Sequence, residues 1–456
     1  MKTTFKRMTA SAMVAASVAM SLTACGLIPG SKAAEAETSD ESAIVEVVDN
    51  GVEQAAVSQG DDATASEGSA SASSATTSGS GAVTALTNMI SGGVVDTTDL
   101  FTDRDLEQSA DLTDASYLTI ESDREVTITE EGTYVLSGDA TNATIVVNVD
   151  SEAKVQLVLD GLTITNDDYP AIYVVSADKV FVTTAAGSQN TLSVTGAFRA
   201  DGETNTDAAI FSKDDLVLNG EGTLTVNSTD NGITCKDDLK VTGGTYVINA
   251  TADALEANDS IRIADGSFTI STSKDALHAE NDEDDSVGYV YICDGDFTID
   301  AASDGIRGTT AVQIDGGTFT ISAAEGIEGT YVQINGGTIN ISASDDGINA
   351  TYKSTLYTPT LEINGGDITI NMAAGDTDAL DANGYLYIHG GTVDISAQSA
   401  FDFDMGGEMT GGTVYVNGEQ ISELTNSMMM GGGMMGGDMG GGMMGGGMMG
   451  GPGGGR

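Results

Sequence analysis

From Asn231 onward the chain repeats one pattern about every 21 residues. An acid or amide, a small residue and a branched apolar residue open each period: Asn231-Gly232-Ile233, Asp253-Ala254-Leu255, Asp275-Ala276-Leu277, Asp304-Gly305-Ile306, Glu325-Gly326-Ile327, Asp346-Gly347-Ile348 and Asp378-Ala379-Leu380. A short alternating segment follows, such as Leu239 to Val241, Val312 to Ile314 or Leu386 to Ile388. A glycine turn then leads into a third segment, as in Gly316-Gly317-Thr318-Phe319-Thr320-Ile321. Apolar and polar positions alternating in runs this short predict strands, three to a period. A single three-strand coil cannot bury its own apolar edge, so the pattern recurs and the coils stack.

The predicted fold class is all-β, a right-handed parallel β-helix with coils of about 21 residues, spanning 99–425. Leucine-rich repeats would need an L-x-x-L-x-L spacing, left-handed β-helices a six-residue period, and calcium rolls a G-G-x-G-x-D run; none of these occurs. Tyr117 to Thr195 alternates in a looser register, which predicts irregular or capping first coils.

Outside the body the pattern disappears. Lys2, Lys6 and Arg7 precede an apolar run from Met8 to Leu22, too short to cross a bilayer, and Leu22-Thr23-Ala24-Cys25 resembles a lipobox. A lipoprotein signal peptide is expected over 1–24, with lipid on Cys25 anchoring the protein to the extracellular face of the cell membrane. Residues 25–98 are rich in Ala, Ser, Thr and acids and read as a tether that cannot bury enough apolar surface to order itself. Residues 426–456 form a Met/Gly-rich tail with ten Met between Met428 and Met449. Thioethers select Cu(I), so copper capture is one reading of this tail and an unstructured segment the other.

Charge narrows the partners. The chain holds 69 acids against 17 Lys and Arg, and three of those 17 lie in the leader. Nucleic acid is excluded as a partner, since it needs basic patches; a monomer whose partners are cations, or ligands arriving with cations, is expected. Cys235 aligns with inward small residues and Cys293 with outward polar ones, so a disulfide between them is not expected. The absence of Trp disfavours sugar stacking on exposed indoles.

The chemistry lies on the repeat. Asp253, Asp275, Asp304, Glu325, Asp346 and Asp378 recur once per coil, so they stack at about 4.8 Å. Glu256, Glu328 and Asp381 lie three residues further on, and Asp345 precedes Asp346. Insertions at Glu280 to Gly288, carrying Asp282, Glu283, Asp284 and Asp285, and at Thr351 to Thr360 interrupt the same corner. Both should project on one face, where solenoids usually carry function. A third cluster, Asp201, Glu203, Asn205 and Asp207, alternates oxygen side chains in a loop. Carboxylates this dense are hard oxygen ligands, and Ca2+ tolerates their irregular geometry. Taken rung by rung, Asp is also a common turn residue that bonds nearby backbone.

Polygalacturonase-type β-helices resemble the body, and Asp345-Asp346-Gly347-Ile348 is similar to their paired aspartates. The Gly-His-Gly and Arg-x-Lys elements of that family are absent, so no catalytic residue is assigned. Pectate-lyase chemistry would need a base near the acids, and Arg262, Lys274 and Arg307 read as charge-balancing residues instead. His278 and His389 are too few for a Ser-His or zinc mechanism.

Several stretches resemble the Cthe_2159-type carbohydrate-binding domain family: Thr133 to Gly138, Ala153 to Gly161, Pro170 to Val174, Ala209 to Leu216 and Asn281 to Asp284. The resemblance covers about residues 115–420. It implies a pectate-lyase-like right-handed β-helix, calcium sites, and binding of cellulose or acidic sugars such as polygalacturonate. Calcium-dependent polysaccharide binding without catalysis is therefore the expected function; a calcium-dependent pectate lyase and a structural adhesin or spacer are the alternatives.

Overall fold

A computed structural model describes residues 93–375 and 377–426. The expected signal peptide, Cys25, the tether as far as residue 92 and the tail from residue 427 lie outside the described residues.

The described chain is a right-handed parallel β-helix. Strands pair in register with the equivalent strand of the next coil, as Leu255 does with Leu277, Leu277 with Ile306, and Ile306 with Ile327. All pairings between named strands are parallel except the terminal hairpin of Thr413–Val416 with Glu419–Ile421. Each coil contributes three walls. The first contains Asn231–Cys235 and Leu277–Ala279, the second Asp238–Val241 and Tyr289–Ile292, and the third Thr245–Ala250 and Asp296–Ala301. Between the second and third walls the chain reverses on a glycine whose positive φ excludes most side chains: +100° at Gly317, +93° at Gly337 and +91° at Gly366. The looser register upstream still yields parallel strands from Ser116 onward, including the long Lys154–Asn166.

Alternation is strict on the third wall, where Ser267–Thr272 and Thr338–Ala343 bury every second residue. Inward residues stack along the axis because equivalent positions sit one above another. The rings of Phe268, Phe297 and Phe319 lie nearly parallel at 4.7 and 4.6 Å, each pair worth roughly 0.5–1.5 kcal/mol beyond burial. Cys235 lies in this core, whereas Cys293 is buried in a separate outer layer, and no disulfide joins them.

That outer layer is a strap the repeat pattern did not foretell. Residues 93–108 form no strand and run across the outside of the second wall, against the direction in which coils accumulate. The backbone N–H groups of Val94 and Val95 donate to Gln333 Oε1 at 3.0 Å and Gln313 Oε1 at 2.8 Å. Val95 and Leu100 then cover Tyr291 and Cys293. Arg104 places its guanidinium 4.4 Å from the centre of the Phe181 ring. Asp105, fully buried, reaches Lys179 at 3.2 Å and Lys240 at 3.4 Å. Gln108 closes the run by donating to the Thr242 carbonyl at 2.9 Å. Val94 and Val95, in the stretch expected as tether, are thus docked on the body.

Candidate functional site

The first wall carries two outward columns of polar side chains. At its leading edge Asn231, Asp253, Asp275, Asp304, Glu325, Asp346 and Asp378 follow one another coil by coil. Beside them runs the paired column Thr234, Glu256, His278, Arg307, Glu328, Asn349, Asp381 and Asp402. Both insertions lie where the spacing puts them, between first and second walls. They also touch: Asp285 Oδ2 accepts from the Thr355 N–H at 3.3 Å.

The edge column is held by a hydrogen-bond chain between coils rather than by local turns. Asn231 Oδ1 accepts the Asp253 N–H at 2.9 Å, and Asp253 and Asp275 each accept the N–H of the next acid at 3.0 Å. Asp346 does the same for Asp378 at 3.1 Å, and Asp378 accepts from Ser399. The chain breaks at Glu325, whose N–H instead donates to the Ser303 carbonyl at 3.3 Å.

At that break the carboxylates of Asp304, Glu325 and Glu328 converge, with one oxygen of each within 4.8 Å of the others. Asp304 and Glu328 are buried, with 5% and 3% of their surface exposed. Burial pushes the Asp304 carboxyl well above the ordinary carboxylate range, and its neighbours Asp275, Glu328 and Glu325 push it further. Burial and Glu328 raise Glu325 likewise, against the Asn349 amide that donates to it at 3.0 Å. Two cations answer in part: Lys353, from the second insertion, lies 2.9 Å from Glu328, and Arg307 lies 3.5 Å from it. Asn349 is itself buried, yet its Oδ1 has no hydrogen-bond partner. Three converging carboxylates, two of them (Asp304 and Glu325) with raised proton affinity, and an orphaned amide oxygen form an all-oxygen donor set, which fits a hard divalent cation.

The other acids are more fully engaged. Asp253, Asp275 and His278 also converge, but His278 spends both ring nitrogens on carboxylates, Asp253 at 3.1 Å and Glu280 at 2.8 Å. Burial works against its positive charge, but the hydrogen bond and charge of Asp253, with Asp275, outweigh it and raise its pKa. An imidazolium fits this geometry better than a metal ligand. Glu256 accepts from Asn231 and Thr234 and pairs with Lys236 at 3.2 Å. Asp381 sits above the break, pushed up to about 7 by burial and by Asp346 and Asp402; Asp346 is raised to about 6, chiefly by burial, and Asp345 beside it is exposed. Asp282, Glu283, Asp284 and Asp285 are exposed on their loop, where Asp284 caps Ser286 and Asp285 holds the neighbouring insertion.

Asp201, Glu203, Asn205 and Asp207 do not gather round one point. Asp201 accepts from Tyr173 at 2.9 Å, Asn205 donates to Asp207 at 2.6 Å, and Glu203 is exposed. Asp207, raised to about 6 by burial and by Glu256, abuts the lower end of the acid wall.

A third convergent set is not announced by the repeat. Asp215, Asp237 and Asp238 meet at the corner between first and second walls, where burial and the charges of Asp215, Asp259 and Asp238 raise Asp237 to about 7. The signal was present as the pairs Asp214-Asp215 and Asp237-Asp238, each just after a first-wall strand. Arg262, bonded to Asp238 at 2.7 Å, belongs to that corner and not to the triad.

Comparison with known proteins adds a family. A family model described as carbohydrate-binding domain-containing protein matches residues 122–379. A protein of that description from Acetivibrio thermocellus is 40% identical over 126 residues, 27% of this chain and 44% of the relative, so the match spans less than half of the relative's length. A solved structure described as the polysaccharide lyase-like protein from C. thermocellum, gadolinium derivative, shares 25% identity at a TM-score of 0.38, covering 66% of this chain and 94% of that one.

Proposed function

The chain belongs to the family of carbohydrate-binding domain-containing proteins, and from that premise we propose that it binds polysaccharide through calcium held at the broken rung of its acid wall. The observation that carries this reading is the triad Asp304, Glu325 and Glu328 with the orphaned Asn349 oxygen beside it. A divalent cation there would supply the charge that lets an acidic wall hold an acidic sugar, bridging protein and ligand carboxylates. Acidic sugars such as polygalacturonate are the ligand class that this bridge serves, and cellulose is the second proposed ligand.

Binding without turnover is favoured over lyase action by the state of the nearby cations. A lyase base must be neutral to take a proton. Burial disfavours the Arg307 charge, but Asp275, Glu328 and Glu280 more than restore it and raise its pKa. Arg307 is thus held charged, and the Lys353 side chain is turned to Glu328.

The test is a pull-down on polygalacturonate with calcium and with EDTA. Chelation, or Glu328→Gln with calcium present, is expected to release at least about tenfold more protein into the supernatant, since removing one partner of a buried charged set costs more than about 1.4 kcal/mol. Retention indifferent to EDTA would overturn the calcium reading. Accumulation of unsaturated products absorbing in the ultraviolet would instead favour the lyase.

The protein is proposed to act at the outer face of the membrane, held by lipid on Cys25. Labelled palmitate should enter the wild-type chain in its bacterial host and be absent from Cys25→Ala; equal labelling of both would remove the anchor from the proposal.

A further inference from the structure

The corner above the triad carries an apolar surface that the calcium reading does not use. Among the described residues six large hydrophobic side chains are exposed: Leu112, Tyr117, Tyr352, Leu356, Tyr385 and Met405. Scattered singly, such residues need no explanation. Here four of the six share one corner in three successive coils. Tyr352 and Leu356 stand on the second insertion, 59% and 48% exposed; Tyr385 opens the second-wall strand of the next coil and Met405 lies on the turn of the coil after that, 36% and 53% exposed. Backbone bonds stack these turns directly, from the Tyr385 N–H to the Pro359 carbonyl at 3.0 Å and from the Met405 N–H to the Gly384 carbonyl at 2.8 Å.

The insertion is braced so that its apolar side chains face outward. The N–H groups of Lys353 and Ser354 donate to Thr330 Oγ1 at 3.1 and 2.9 Å, Lys353 Nζ is drawn inward to Glu328, and Tyr357 packs edge-on against Tyr331 at 5.5 Å. The Tyr385 ring lies parallel to Tyr387, 5.7 Å away, and the residue paired with it in the next coil is Gly406, which has no side chain to cover it.

Charge decides the occupant. Asp381, Asp402 and Asp404 lie on the first-wall side of the same turns. The one cation on the insertion, Lys353, is already paired. A polyanion or an anionic membrane would be repelled. A pyranose chain without charge fits both parts: its C–H faces lie on tyrosine rings, which offer rigid amphipathic area, and its hydroxyls donate to the carboxylates.

We propose that the corner bearing Tyr352, Leu356, Tyr385 and Met405 is a docking site for an uncharged polysaccharide, engaged by tyrosine stacking and independent of calcium. The proposal rests on the carbohydrate-binding reading and divides it into two neighbouring subsites, one for charged and one for uncharged sugar chains.

The test uses the full mature chain on microcrystalline cellulose in EDTA, wild type beside Tyr352→Ala/Tyr385→Ala. Both side chains are exposed, and an unchanged melting temperature certifies the fold. Wild-type retention is expected to survive EDTA, and the double variant to bind about tenfold more weakly, the scale of losing aromatic anchors. Three results would overturn the site: cellulose binding lost in EDTA, binding by the double variant within twofold of wild type, or self-association of the wild type that the double variant abolishes, which would assign the face to a second copy. If the wild type binds neither cellulose nor polygalacturonate with calcium present, the carbohydrate reading itself fails. If it binds and the tyrosine double variant binds as well as wild type, the subsite alone falls.

Discussion

Replacing Asp105 by alanine is expected to destabilise the protein by about 3–5 kcal/mol, because it strands the largely buried Lys240 ammonium and leaves Lys179 only Asp215, 3.7 Å away. Asp105 has no exposed surface, and Lys179 and Lys240, which it joins, come from different coils. Burial opposes its charge, but the Thr102 N–H and the two lysines outweigh that and hold its carboxyl below the ordinary value. A carboxyl depressed in the folded state contributes stability that is present above its unfolded pKa and lost as pH falls through the folded one. The effect of Asp105→Ala should therefore be full at pH 7 and fade below about pH 4, near the reference carboxylate value. Urea unfolding measures the energy, and trypsin reports the cause. Cleavage after Arg104, which lies against Phe181 in the docked strap, should accelerate in the variant. Adding Lys240→Met should recover part of the loss. A variant within about 1 kcal/mol of wild type would mean the pair is only a surface ornament.

The second large effect has the opposite sign. In the metal-free protein Asp304→Asn is expected to raise stability at pH 8 by a few kcal/mol, at 1.36 kcal/mol per pKa unit. Asp304 is pushed up to about 8 and Glu325 to about 7, burial first and neighbouring carboxylates second. A carboxyl raised in the folded state contributes stability present below its unfolded pKa and lost as pH rises through the folded value. The wild-type triad thus costs most above pH 8 and least near pH 4, and the advantage of the variant should shrink across that window. If calcium fills the triad as proposed, it should reverse the ranking, since a bound ion stabilises the native state by its occupancy, about 2.7 kcal/mol at a hundred times its Kd. Melts at pH 5 and pH 8, with EDTA and with calcium, give the four comparisons. A wild type that melts above the variant in EDTA at pH 8 would contradict the crowding of charge inferred at this rung.

The repeat made the solenoid legible in the amino-acid sequence because burial in a stacked coil imposes the same demand on every period. Asp-Gly-Ile recurs since each coil needs an edge acceptor, a close approach and an inward apolar residue. The same regularity hid the site. Alignment shows that Asp304 and Glu325 share a column, but not that the inter-coil hydrogen-bond chain stops at Glu325. Lys353 and Asn349 join the triad across coils, and no spacing announces that. Nor could periodicity find the strap, which passes the body once and repeats nothing. Its one strong signal, the apolar pairs Val94-Val95 and Leu100-Phe101 beside a low-complexity run, was too short to separate from linker.

The contact between Asp285 and Thr355 gives this body a gauge. Three coils separate the insertions, and each adds about 4.8 Å to the axis. A solenoid grows or shrinks by whole coils without disturbing its register, so its length is otherwise free to drift. Deleting or duplicating one coil here would leave every strand paired and would still pull the two loops apart or drive them past each other. Lineages that keep both loops in touch are thereby held to one coil number between them, while coils outside that interval remain free to vary.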